Sequence, residues 1–147
     1  MSVRRFLVLH GPNLSERGAP PSACTPSIRE INRYLEQLAT DLEVEIDVFQ
    51  SDHDGALVDK LFENMDTVRG CIINAGGLIP GVALHDAFKL VPFPVIEVHL
   101  SNGNVQPDGS LITSTATGQI TGLGWRGYLY ALLALVDLTR DSTGGSA

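Results

Sequence analysis

The sequence predicts a single doubly wound α/β domain with a parallel sheet, and two observations carry that expectation. Short apolar, β-branched runs alternate with segments of helical period, which is the pattern of βαβ units wrapped around a parallel sheet. The 147 residues, 44% hydrophobic and 18% charged, suffice for one sizeable core. The expected domain covers residues 1–140, with 141–147 as a disordered tail.

The elements follow in order. Phe6-Leu7-Val8-Leu9 reads as the first strand, ending at the turn-forming His10-Gly11-Pro12-Asn13, and Ser15 to Pro26, rich in Pro, Gly, Ser and Ala, reads as a long loop. Ser27-Ile28-Arg29-Glu30 fits a capping box and opens a helix carrying Ile28, Ile31, Leu35 and Leu38 on one face, stopping before Asp41-Leu42. Val44, Ile46 and Val48 alternate with Glu45 and Asp47, as expected of a half-exposed strand at the sheet edge. A second helix should run from Asp54 to Met65 and bury Leu57, Leu61, Phe62 and Met65. Gly70-Cys71-Ile72-Ile73 is apolar without interruption, so a fully buried strand is expected, running into Asn74-Ala75-Gly76-Gly77. A third helix from Gly81 to Leu90, a strand from Val95 to Leu100, a loop from Ser101 to Ser114, a short strand from Gly118 to Thr121 and a helix from Tyr128 to Thr139 complete the chain.

Composition removes several classes of function. A net charge of −7 and a pI near 4.9 repel phosphate backbones, so nucleic acid is not an expected partner. The apolar run Phe6 to Leu9 is too short for a signal segment or a membrane span, and a cytoplasmic location is expected. Cys24 and Cys71 lie far apart, and Cys71 sits in an apolar run, so neither a disulfide nor a metal site is expected. The glycines after Asn74 lack both phosphate-cradle spacings, and no cofactor is expected.

In an open parallel sheet the ligand crevice lies at the carboxyl ends of the strands, beside the switch in strand order. The loops starting at His10, Asn74 and His99 converge there, each with a polar group directly after a hydrophobic strand. Glu97 and His99 are two apart on one strand and so share a face. A carboxylate beside an imidazole can fix its tautomer and favour its charged form, which makes His99 a candidate proton donor. A strand-end histidine bonded to a neighbour is the structural alternative. Leu100-Ser101-Asn102 supplies backbone N–H groups and small polar side chains for anion or hydroxyl recognition. Asn13, after the rigid Gly11-Pro12, offers an amide for a water or a developing oxyanion. Asn74, followed by Gly76, suits a turn or a substrate hydroxyl equally.

Leu7-Val8-Leu9-His10-Gly11-Pro12-Asn13-Leu14, Gln50-Ser51-Asp52-His53-Asp54-Gly55, Ile73-Asn74-Ala75-Gly76, Val82-Ala83-Leu84-His85-Asp86-Ala87 and Glu97-Val98-His99-Leu100-Ser101-Asn102 occur in that order. They are joined by Ala116-Thr117-Gly118 and by Gly122-Leu123-Gly124 through Gly127-Tyr128. Together they resemble the type II 3-dehydroquinate dehydratases over nearly the whole chain. The resemblance implies a flavodoxin-like, three-layer α/β/α fold with a five-stranded parallel sheet, and a homo-oligomer built from trimers, commonly a dodecamer. It implies anti elimination of water from a small-molecule substrate through an enolate. A lid tyrosine, made basic by an arginine, takes the proton; an asparagine holds the water that stabilises the enolate; and a histidine paired with glutamate protonates the leaving hydroxyl. By position these last groups are Asn13, His99 and Glu97, while Asn74 and Ser101 match contacts to substrate hydroxyl and carboxylate. Gly76 and Leu100 flank those contacts, and Asp86 matches a residue that reaches a neighbouring subunit's site.

The chain departs from the family's pattern around that pocket. Ser15 to Cys24 is shorter than the family's lid and has no tyrosine, although Arg17 stands near the place of the lid arginine. Leu78-Ile79-Pro80-Gly81 replaces a Thr-His-Thr, Gly103 to Ser110 contains no arginine, and His10 stands where an asparagine is usual and adds an imidazole near the crevice. Cys24 and His10 are the candidate replacement bases. Three readings follow. The preferred one is a divergent, lyase-like enzyme that dehydrates, isomerises or cyclises a less polar, secondary-metabolite-like cyclic substrate. The alternatives are a 3-dehydroquinate dehydratase with a rebuilt base and a non-catalytic small-molecule-binding or structural protein.

Overall fold

In the computed structural model of the chain, residues 2–12, 26–76, 81–100 and 110–141 are described. β1 (Arg5–His10) runs beside β2 (Glu45–Gln50) on one side and β3 (Gly70–Asn74) on the other, and β4 (Val95–His99) and β5 (Gly118–Thr121) extend the sheet beyond β3. The strand order is β2-β1-β3-β4-β5 and every pairing is parallel. β2 is an edge, as its alternating pattern predicts, and its side chains are only half-buried apart from the exposed Glu45.

Side chains alternate across a strand, and β1 divides its four apolar residues evenly. Phe6 and Val8 join Ile72, Ile96 and Val98 on one face, under α1 (Ile28–Asp41) and α4 (Arg126–Leu138). Leu7 and Leu9 join Cys71, Ile73 and Val95 on the other, under α2 (Asp54–Glu63) and α3 (Val82–Phe88). Both faces are therefore covered, which is why β1 and β3 read as unbroken apolar runs. The expected flavodoxin-like, doubly wound fold is the observed one.

α1 opens as its capping signal predicts: the Glu30 N–H donates to Ser27 Oγ at 3.2 Å, and the same hydroxyl donates to the Glu30 carboxylate at 3.2 Å. The helix ends in a turn closed by Glu43, whose φ is 59°. α2 stops two residues before the expected Met65 because the Asn64 amide donates to the Lys60 carbonyl and turns the chain away. Phe62, expected to be buried, is exposed, whereas Leu57 and Leu61 are fully enclosed. α3 is shorter than expected at both ends, and α4 begins two residues earlier, at Arg126. No described helix is long and apolar enough to cross a membrane.

Helices α1 and α4 lie on one face and α2 and α3 on the other, so strand order reverses between β1 and β3. His10 and Asn74, the last residues of those strands, are register partners at this point. Gly11 follows directly and donates its N–H to the Asn74 carbonyl at 2.8 Å. A Cβ there would lie 2.1 Å from the Ala75 carbonyl oxygen, so the approach of the two strand ends requires glycine.

Candidate active site

The carboxyl end of β4 carries the most organised polar cluster among the described residues. Glu97 is fully buried, and His99, two residues on, is partly exposed with Nε2 3.1 Å from Glu97 Oε2. The ring N–H is not aligned for a hydrogen bond to that oxygen. The contact is an ion-pair geometry that leaves the donor direction of Nε2 uncommitted.

Burial of a carboxylate is costly unless its oxygens are satisfied, and here they are. Ser110 Oγ donates to Oε2 at 2.5 Å, Thr113 Oγ1 donates to Oε1 at 2.5 Å, and Gln119 Nε2 donates to Oε1 at 3.3 Å. Burial alone would lift the Glu97 carboxyl. The close approach of the His99 imidazole and the bonds from Ser110 and Thr113 outweigh it and hold the group below the usual carboxylate range. Glu97 is thus a fixed anion under His99, on an anchor formed by the short 3-10 helix Leu111–Ser114, its capping residue Ser110, and β5.

The sequence pattern singled out Glu97 and His99 but not Ser110, Thr113 or Gln119. One signal was available: with β5 parallel to β4, Gln119 is the register partner of Glu97 and Thr121 that of His99. The Thr121 hydroxyl is itself buried and has no hydrogen-bond partner among the described residues. The approach of the 3-10 helix has no such signal in the residue spacing.

Asn74 is buried at the end of β3, and its Oδ1 accepts from the Gly76 N–H at 3.1 Å, the local bond that the turn reading of this residue expects. Gly76 is exposed. Leu100 is half-buried, and its carbonyl accepts from the Gly124 N–H at 2.9 Å. Asp86 faces solvent on α3 and pairs with His85 Nδ1 at 2.9 Å. Asn13, Arg17, Cys24 and Ser101 lie outside the described residues.

His10 needs correction as a substrate contact. It is wholly buried, with Nδ1 2.9 Å from the Tyr128 hydroxyl and Nε2 2.9 Å from Asn32 Oδ1. Both ring nitrogens are occupied inside the protein, and burial lowers its pKa to about 4 against the support of Asn32. The imidazole is a neutral core group and not a spare base in the crevice. Cys71 is also buried, and burial pushes its thiol up, as befits a packing residue.

A cavity of 510 Å³ lined by Val68, Arg69, Pro94 and Thr139 lies by the amino ends of β3 and β4, across the sheet's length from His99. It plays no part in this cluster. Among the described residues no three His, Cys, Asp or Glu side chains are grouped to hold a metal ion.

The profile of the family described as "Dehydroquinase class II" matches residues 4–136. The chain belongs to that family. A 3-dehydroquinate dehydratase of Halothermothrix orenii is 44% identical over 96% of this chain and 99% of its own. One from Herpetosiphon aurantiacus is 41% identical over 87% and 93%. The crystal structure of a type II dehydroquinase from Butyrivibrio crossotus superposes with a TM-score of 0.82 at 29% identity, covering 90% of this chain and 97% of that one. A 3-dehydroquinate dehydratase-like protein from Bifidobacterium longum does so with a TM-score of 0.72 at 26% identity, covering 92% and 98%. The expected lyase-family enzyme on a flavodoxin-like scaffold is therefore what the class II dehydroquinase match supports.

Proposed function

We propose that this class II dehydroquinase dehydrates 3-dehydroquinate, with His99 as the proton donor to the leaving hydroxyl and Glu97 as the buried anion that orients it. The observation that carries this reading is the Glu97–His99 pair at the carboxyl end of β4, with every oxygen of Glu97 supplied with a donor, in a chain whose relatives bear the name of that activity. In the elimination one C–H and one C–O bond break, a C=C bond forms and water leaves. The proton given by His99 joins the departing hydroxyl, and the proton lost from carbon passes to a base and on to solvent. Asn13 is assigned to the developing enolate, Asn74 to a substrate hydroxyl, and Ser101 with the Leu100 and Gly76 backbone to the substrate's polar edge. Arg17 is assigned to the lid. A fixed anion beneath a proton donor needs little reorganisation as charge moves in the transition state.

The expectation of a less polar substrate rests on residues 15–24, 78–81 and 103–110, of which only Gly81 and Ser110 are described. The named relatives support the dehydratase reading in its place. The purified chain mixed with 3-dehydroquinate should produce the ultraviolet absorbance of the conjugated product, and His99→Ala should lower kcat by about 10²–10⁴-fold. A wild-type protein that produces no such absorbance overturns the reading.

A further inference from the structure

Glu97 receives its hydrogen bonds in a fixed order, and that order starts from groups that can only donate. The Ile112 N–H donates to Ser110 Oγ at 3.2 Å, and the Ser110 hydroxyl donates on to Glu97 Oε2 at 2.5 Å. On the other side the Gln119 amide donates to Thr113 Oγ1 at 3.3 Å, and the Thr113 hydroxyl donates on to Glu97 Oε1 at 2.5 Å. The Gln119 atom that meets Thr113 also lies 3.3 Å from Glu97 Oε1, so it has to be the NH2 end, since an amide oxygen there would face a carboxylate with no hydrogen between them. Neither relay can therefore run backwards.

A protonated Glu97 would need an acceptor for its own hydrogen. Each hydroxyl beside it already takes a hydrogen from behind and has no other acceptor for its own among the described residues. His99 Nε2 is 3.1 Å from Oε2 but out of line for a hydrogen bond. Other titratable groups on the neighbouring elements leave this unchanged. The Cys71 thiol of β3 is buried and pushed up, hence neutral; His85, Asp86 and Lys89 of α3 pair among themselves; and the 3-10 helix and β5 carry none. Helix α2 packs over β2 at the far edge of the sheet, and α4 covers the opposite face.

We propose that Ser110, Thr113 and Gln119 are positioning residues: two one-way donor relays fix the plane of the Glu97 carboxylate, present its Oε2 to His99 and exclude the uncharged acid, so that the proton for the leaving group stays on His99. The catalytic half of this inference rests on the dehydratase reading, whereas the relays rest on the hydrogen bonds alone. Bonds in series polarise one another, so each relay holds the carboxylate more firmly than its last bond would by itself.

Ser110→Ala removes one relay at the oxygen that faces His99. Carbon-13 spectra of the Glu97 side-chain carboxyl should show its protonation midpoint rising by about one to two pH units, the scale of one hydrogen bond to a charged group, and Ser110→Thr should bring it back. For 3-dehydroquinate, kcat should fall by about tenfold while KM changes by less than about threefold, because the lost alignment acts on the proton transfer and not on binding. Ser110 also caps the 3-10 helix, so Gln119→Met, on the exposed edge strand β5, gives a variant with an intact cap. It should move the carboxyl midpoint in the same direction by a smaller amount. A midpoint unmoved in either variant with wild-type circular dichroism would overturn the relays, as would a wild-type Glu97 that takes up a proton above the usual carboxylate range. If Ser110→Ala does not fold, Gln119→Met decides alone. If the wild type does not turn over 3-dehydroquinate, the dehydratase reading fails and the carbon-13 titrations still decide the relays.

Discussion

His10 has no exposed surface and no free ring nitrogen, so the folded chain resists protonating it while the unfolded chain does not. Its pKa is lowered from 6.5 to about 4 by burial. Between those two values the unfolded state binds a proton that the folded state refuses, and stability therefore falls as pH falls through that window. The full loss is about 3 kcal/mol, reached near pH 4. Denaturant titrations at pH 7 and pH 4 should show the wild type losing about that much more stability than His10→Asn; equal losses would refute a buried neutral imidazole. Thr113 is a second residue whose role is read from one bond. Its hydroxyl donates to the buried, ionised Glu97, and a hydrogen bond to a charged group contributes about 1.5–3 kcal/mol. Thr113→Val keeps the shape and should lose that amount in urea unfolding at pH 7, with a fall in kcat, while Thr113→Ser should recover both. A Val variant as stable and active as the wild type would show that Ser110 and Gln119 suffice.

Helices and strands differ in how much of themselves the sequence discloses. The start of α1 was legible because it is local, Ser27 and Glu30 bonding to each other within one turn, while its end lies one residue beyond the expected stop, at Asp41. Ser27→Ala should accordingly cost about 1 kcal/mol of stability, measured by thermal or urea unfolding, and a neutral result would mean that packing against the sheet alone sets the helix start. β1 and β3 were legible because burial on both faces leaves an unbroken apolar run. The end of α2 was not legible, since an Asn64 amide turning back to the Lys60 carbonyl competes with a periodic pattern that continues to Met65. The site divides in the same way. Glu97 and His99 lie on one face of one strand, so spacing alone places them together, and β4 delivers them as expected. Ser110 and Thr113 reach Glu97 from a 3-10 helix and its capping residue, and no periodicity encodes that approach. His10 was misread for a related reason. A polar residue at a strand end suggests the crevice, but whether the side chain points out or in depends on what the far helix offers, and α4 offers the Tyr128 hydroxyl.

Taken as a whole, the molecule covers both faces of its sheet and still leaves large apolar side chains in solvent. On the α2–α3 side Phe62 is 41% exposed, Val82 51% and Leu90 68%, and those helices pack against each other over the sheet face that Leu57, Leu61, Leu84 and Phe88 fill from beneath. Asp86, assigned by resemblance to a neighbouring subunit's site, lies exposed on the same helix as Val82. Tyr34, Tyr130, Leu133 and Leu138 are exposed on the α1–α4 side as well, so exposure alone does not single out a face, and the α2–α3 side is proposed for association because Asp86 lies on it. A homo-oligomer built from trimers is the assembly proposed for this chain, and closed symmetric association is the usual form for such a protein. Light scattering on the purified wild type should then give a mass that is a multiple of three 15.8 kDa chains. Leu90→Asp places a charge on the most exposed of these residues, in a helix-end turn where no core contact is lost. It should lower that mass while circular dichroism stays unchanged, because desolvating an unpaired carboxylate in an interface costs several kcal/mol. A wild type that scatters as a 15.8 kDa monomer at tens of micromolar would refute the assembly, and a Leu90→Asp protein of unchanged mass would place the interface on another face.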